Sequence, residues 1–147
     1  KVPIFTAADQ DFQIGKAQIL HEGSDVTIIA CGHLVWRAIL AADELEAKGI
    51  SVEIINMHTI KPLDTAAILH SVSKTACVVT AEEHQRNGGL GEAVAQVLAL
   101  HQPVPVEMVA VDDSFGESGQ PEELMTKYHI NTTDIVAAVE RVLARKK

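Results

Sequence analysis

Aromatic side chains are scarce in this 147-residue chain, with three Phe, one Tyr and one Trp against 47% hydrophobic residues overall. A core for a domain of this length must therefore be filled by Val, Ile, Leu and Ala, the usual content of parallel strands and their covering helices. Basic residues are short as well. Twelve Lys and Arg stand against twenty Asp and Glu, a formal charge of −8. That charge repels phosphate backbones and anionic headgroups, which argues against nucleic acid and membrane surfaces as partners.

Other absences narrow the reading further. No apolar run in Lys1 to Gln10 has the length of a signal peptide or a membrane span, so a soluble, cytoplasmic protein is expected. Only two cysteines occur. Cys31 and Cys77 each close an apolar strand-like run, which reads as buried, reduced core thiols. Neither they nor the seven scattered His residues show metal-ligand spacing, and no structural metal is expected. There is no G-x-S-x-G elbow for a serine hydrolase and no Walker Gly-Lys-Ser/Thr. Gly89 and Gly91 begin a G-x-G, but Val94 stands where a dinucleotide fingerprint needs Gly or Ala, so nucleotide binding by motif is rejected.

What is present is a repeating period of strand and helix. Val26 to Ala30 is a short β-branched run suited to a central strand buried on both faces. Val35, Ala38, Ile39, Ala42 and Leu45 then recur at helical spacing, with Gly49 placed for a C-cap. Val52 to Met57 predicts the next strand, with Asp64 as N-cap of a helix carrying Ala67, Ile68 and Val72. Ala76 to Ala81 predicts a third strand, followed by a glycine-containing loop and a helix with Val94, Val97 and Leu98 on its inner face. Val106 to Val111 supplies a fourth strand, before helices starting at Pro121 and carrying Ile135 to Leu143. This order predicts an α/β fold: a single open, mostly parallel five-stranded sheet with helices on both faces. The fifth strand is expected at an edge, antiparallel, from Phe12 to Leu20. Residues 1–11 read as a tail from a preceding domain or linker, and 12–147 as one domain.

In an open α/β sheet, ligands bind beyond the carboxyl ends of the strands. The segment there richest in chemistry is Glu82, Glu83 and His84 followed by Gly88, Gly89, Leu90 and Gly91. Backbone amides at a helix N-terminus attract anions, so His33, His58, Glu82, Glu83, His84, Gly88, Gly89 and Gly91 form a candidate interaction or anion-binding rim. Glycines also serve plain loop packing, and strand-end histidines plain hydrogen bonding, which are the commoner uses. His84 with Glu82 or Glu83 lacks a nearby nucleophile or substrate anchor, so no catalytic residue is assigned. In Asp112 to Gly119 the glycines and serines read as a shaped loop, with Phe115 tucked inward or against another domain.

Four motifs in order then carry a resemblance. Ile14-Gly15-Lys16-Ala17 with Glu22 to Gly32, Ile55 to Asp64, Thr80 to His84 with Gly88 to Gly91, and Phe115-Gly116-Glu117-Ser118-Gly119 together resemble the transketolase C-terminal domain. The likeness spans about Phe12 to Leu143, and Lys1 to Ala8 looks like the last strand of a preceding pyrimidine-binding domain. Phe115 to Gly119 with Glu123-Leu124 and Lys127-Tyr128 looks more like transketolase than like related enzymes that share the domain, particularly the split, two-subunit form. His129 departs from the pattern, which often has Gly there.

The resemblance implies an enzyme of carbohydrate metabolism in the pentose phosphate pathway, a dimer that transfers a two-carbon ketol unit between sugar phosphates. It also implies that thiamine diphosphate and Mg are bound by the pyrimidine-binding and pyrophosphate-binding domains or subunit. This domain would support a homo-oligomer, bind no cofactor itself and have no turnover alone. Two relatives share such a domain, the β subunit of 2-oxo-acid dehydrogenases and 1-deoxyxylulose-5-phosphate synthase. From another class stands a non-catalytic, regulatory module binding an anion or small molecule. A supporting domain predicts bare apolar patches, whereas a binding module predicts a closed surface and a pocket lined by His33, His58 and His84.

Overall fold

A computed structural model describes residues 3–4 and 11–146. The elements run in the order β1 (Gln18–His21), β2 (Val26–Ala30), α1 (Leu34–Glu46), β3 (Val52–Asn56), α2 (Thr65–Thr75), β4 (Val78–Gln85), α3 (Leu90–His101), β5 (Val106–Val111), α4 (Pro121–Lys127) and α5 (Thr132–Arg145). The sheet has the order β1-β3-β2-β4-β5. All neighbours are parallel except β1, which runs antiparallel to β3 at one edge. The expected five-stranded sheet is thus present.

β2 holds the centre because every one of its residues is buried. Its one polar side chain, Thr27, is satisfied there, since its hydroxyl lies 2.6 Å from both the Ser71 and Thr75 hydroxyls of α2. Two aliphatic layers sandwich the sheet. Leu34, Val35, Leu45, Ile135 and Val139 of α1 and α5 cover one face. Ile68, Val72, Leu90, Val94 and Leu98 of α2 and α3 cover the other.

Helix ends follow their local chemistry. Asp64 caps α2 by accepting from the Ala67 amide at 3.1 Å, and it also accepts from Ala17 at 2.9 Å, which ties the entry to β1 onto the sheet. After α1 the Gly49 amide donates to Glu46 and that of Ile50 to Leu45, a Schellman closure with Gly49 at φ +81°. α4 closes in the same way at His129, whose φ is +54°.

Some expectations are corrected. The edge strand is Gln18–His21 rather than Phe12 to Leu20, because Gly15 turns the chain at φ +82° and Phe12 and Ile14 stay exposed. The third predicted strand begins at Val78, since Ala76 closes α2 in the left-handed region, and it continues to Gln85. Cys77 therefore precedes its strand instead of closing it, and Cys31 is half-buried rather than buried. Most of the tail, including the strand expected over Lys1 to Ala8, lies outside the described residues.

Candidate functional site

The chain leaves β2 through α1 toward β3, then crosses back through α2 to β4 on the other side of β2. That reversal puts a crevice beyond the carboxyl ends of β2 and β4, where α/β sheets place ligands. A cavity of about 340 Å³ opens there. Its walls include Cys31, Gly32 and His33 from the turn after β2, and Glu82, Glu83, His84, Gly88 and Gly89 from β4 and its loop.

The structure therefore brings six of the eight predicted rim residues together. His58 and Gly91 do not line this cavity. The His58 ring stacks on Phe12 with centroids 4.1 Å apart, and its Nδ1 lies 2.9 Å from the Thr59 hydroxyl. Gly91 sits against the sheet, close to Thr80 and Met108.

Glu82 decides what the glycine loop does. It is 1% exposed. The amide of Leu90 donates to its Oε2 at 2.7 Å and that of Gly91 to its Oε1 at 2.8 Å, while the Gly88 amide donates to Glu92 at 2.8 Å. The amides of Gly88, Leu90 and Gly91 are thus already paired with the protein's own carboxylates, which leaves the loop less to offer an external anion. Gly89 has its own reason to be glycine: a Cβ there would overlap the Glu82 carboxyl group.

Cys31 and His84 are each constrained by their surroundings. Burial first, and the Glu82 charge second, push the Cys31 thiol up to about 11 from 9.0, so it is protonated near neutral pH. His84 is exposed and donates from Nδ1 to the Gln85 carbonyl at 2.9 Å. Among the described residues no group of three or more His, Cys, Asp or Glu suits a metal ion. A diphosphate fits poorly as well, because Glu82 and Glu83 line the cavity and the helix amides are engaged.

A larger cavity of about 570 Å³ was not foreseen from sequence. It shares His33 and Glu83 with the first, has Val111, Leu124, Met125, Tyr128 and Ile130 among its apolar lining, and is edged by Glu117 and Glu122. Its outer border is the segment 112–120. There Phe115 is 99% exposed, which excludes the inward placement. The backbone around it is nonetheless tied down, since Tyr128 donates to the Phe115 carbonyl at 2.9 Å and Gln85 to the Ser114 carbonyl at 2.7 Å. The run from Phe115 to Tyr128 carries the only signal of this cavity in the sequence, a loop followed by a helix, and nothing in its spacing shows that they face His33 across a gap.

Known proteins resemble this chain along most of its length. The family described as "Transketolase, C-terminal domain" matches residues 15–135. The 6-deoxy-6-sulfo-D-fructose transketolase subunit SqwH of Clostridium sp. (strain MSTE9) is 46% identical over 138 residues, 94% of this chain and 43% of the relative. The 1-deoxy-D-xylulose-5-phosphate synthase 1 of Geobacter sulfurreducens is 40% identical over 139 residues, 93% of this chain and 22% of that protein. Among solved structures, a split gene transketolase in the form of an inactive beta4 tetramer superposes with a TM-score of 0.96 at 44% identity, covering 99% of this chain and 48% of the other. The chain thus spans less than half the length of these relatives.

Proposed function

The chain belongs to the transketolase C-terminal domain family, and from that membership we propose that it is the carboxy-terminal domain of one subunit of a split, cytoplasmic transketolase. The observation that carries this reading is the likeness to a split gene transketolase over 99% of the chain. On this reading the whole enzyme moves a two-carbon ketol unit between sugar phosphates of the pentose phosphate type. Thiamine diphosphate, on which the family depends, would be held with Mg by the pyrophosphate-binding and pyrimidine-binding domains, and would supply the carbanion chemistry there. This domain's part is assembly. The protonated Cys31 thiol, the committed Glu82 carboxylate and the acidic cavity wall support that division of labour.

The pattern of exposure supports it too. Phe12, Ile14 and Phe115 are large apolar side chains with most of their surface exposed, and exposed apolar surface marks faces where partners or further domains pack. A free-standing binding module has less support, because the smaller cavity excludes His58 and its helix amides are spent.

The test is ketol transfer from a panel of donor sugar phosphates, including a 6-sulfonated ketose. The chain alone is compared with the chain joined to its upstream region and supplied with a companion subunit, thiamine diphosphate and Mg. Turnover only in the complete assembly is expected. Turnover or tight cofactor binding by the 147 residues alone would overturn the reading, and synthase activity of the assembly would move it to the 1-deoxyxylulose-5-phosphate branch.

A further inference from the structure

We propose that the outer edge of β5 carries a binding site for a single phosphate group, held between the guanidinium groups of Arg86 and Arg141; the site is independent of the ketol-transfer reading. A cavity of about 330 Å³ lies there, at the sheet edge opposite β1. Its lining includes Arg86, Asp112, His129, Asp134 and Arg141, together with three consecutive residues of β5, Met108, Val109 and Ala110. Side chains alternate between the two faces of a strand, so a cavity touching three residues in a row lies against the strand edge. The carbonyls of Pro105 and Val111 accept from the Val78 and Arg86 amides, on the β4 side. By alternation the amides of Met108 and Ala110 turn outward, where the sheet has no further strand.

Both guanidinium groups are anchored but not used up. Arg141 donates from Nε to Glu107 at 3.1 Å. Arg86 Nε is buried without a hydrogen bond, and the Asp112 carboxylate 3.3 Å away pairs with it by charge alone. Among the described residues no hydrogen bond engages an Nη nitrogen of either side chain. Arg presents a planar fork that grips phosphate through parallel N–H donors, and a fork already held at Nε loses less freedom on binding. The acidic groups around the cavity are taken up by the protein itself. Asp112 faces Arg86, Glu107 is shared by Arg141 and Arg145, and Asp134 accepts the Asn131 amide at 2.9 Å with His129 Nδ1 3.6 Å away. In a chain of net charge −8 such a pair of cations suits one phosphate and not a polyanion.

The test is titration of the full-length subunit, labelled at Met and Ala methyl groups for NMR, with inorganic phosphate at an ionic strength held constant with chloride. The Met108 and Ala137 methyl resonances, which border the cavity, are expected to shift saturably with a midpoint below about 10 mM. Their position separates this site from any phosphate held by other domains. Arg86→Gln and Arg141→Gln should each raise the midpoint at least about fivefold. Lys48→Gln should leave it unchanged, because Lys48 pairs with Glu140 and neither lines the cavity. No saturable shift up to about 50 mM phosphate would overturn the proposal. Midpoints unaffected by both Arg variants, or an equal response to chloride alone, would do the same. Glycerol 1-phosphate and acetate separate the sources of the oxyanion. A tighter midpoint for the monoester assigns the site to phosphorylated metabolites, a tighter one for inorganic phosphate assigns it to the free ion, and a tighter one for acetate overturns the phosphate assignment. Where Arg86→Gln does not fold, the wild-type titration and Arg141→Gln decide.

Discussion

Glu82 sets its two carboxylate oxygens on the backbone amides of Leu90 and Gly91, at 2.7 and 2.8 Å. A buried negative charge thereby caps α3 from within the sheet, where the helix dipole stabilises it. The arrangement uses the anion-attracting end of a helix for folding.

Replacing Glu82 by Gln keeps the shape but puts an amide donor where an acceptor is needed. A loss of about 2 kcal/mol is expected, read as a lower urea midpoint at pH 7. Gly89→Ala should destabilise strongly in the wild type, because the new methyl meets the Glu82 carboxyl group, and less in a Glu82→Ala background. Additive effects would mean that the two positions do not touch.

Acid should weaken the fold through Glu53 and Glu107. Burial opposes ionisation of Glu53, yet Lys74 at 2.5 Å, the Ser71 hydroxyl and the Gly23 amide together hold its carboxyl below the ordinary 4.5. Glu107 is likewise lowered, with burial outweighed by Arg141 and Arg145. Folded values below the unfolded ones mean stability that is complete above that range and lost as the pH falls through the folded values. Glu53→Gln is expected to cost roughly 1–3 kcal/mol at pH 7. The gap from wild type should stay constant above the ordinary 4.5 and narrow as the pH falls below it in denaturant titrations; a gap unchanged in acid would rule out an ionised Glu53 as its source.

His129 occupies the left-handed position that closes α4, at φ +54° with 83% of its side chain exposed. A residue with a Cβ is disfavoured there. His129→Gly is expected to raise stability by about 0.5–1 kcal/mol, net of the extra freedom glycine gains when unfolded. An unchanged or lower melting temperature would show that the Asp134 carboxylate, 3.6 Å from Nδ1, outweighs the backbone strain.

Cys31 should resist alkylation although it is half-buried rather than sealed. With the thiol pushed up to about 11, its thiolate fraction at pH 8 is about a hundredfold below that of an ordinary thiol. Iodoacetamide labelling followed by mass spectrometry should show a rate still rising through pH 10. A rate at pH 8 matching free cysteine would contradict this environment. Burial raises the Cys77 thiol too, and its lack of exposure should make it slower still.

The strand-helix period was legible because it rests on local rules. The β-branched run of β2, the apolar spacing of α1 and α5, Asp64 as a cap and Pro121 at a helix start all act within a few residues of themselves, and each appears where its chemistry puts it. The errors share a different cause. The extension of β4 to Gln85 and the antiparallel seat of β1 depend on strands remote in sequence, and the inward turn of Glu82 on a helix start eight and nine residues further on.

By itself, then, the sequence determined the α/β class, the aliphatic core, the acidic surface and the family, since composition, periodicity and motif order are properties of the chain as written. Only the tertiary structure decided that Glu82 consumes the helix amides, that His58 stands apart from His33 and His84, and that Phe115 points into solvent on a pinned backbone. The physical reason is that burial, pairing and direction depend on which groups meet after the strands are assembled, and a linear spacing carries no record of that meeting.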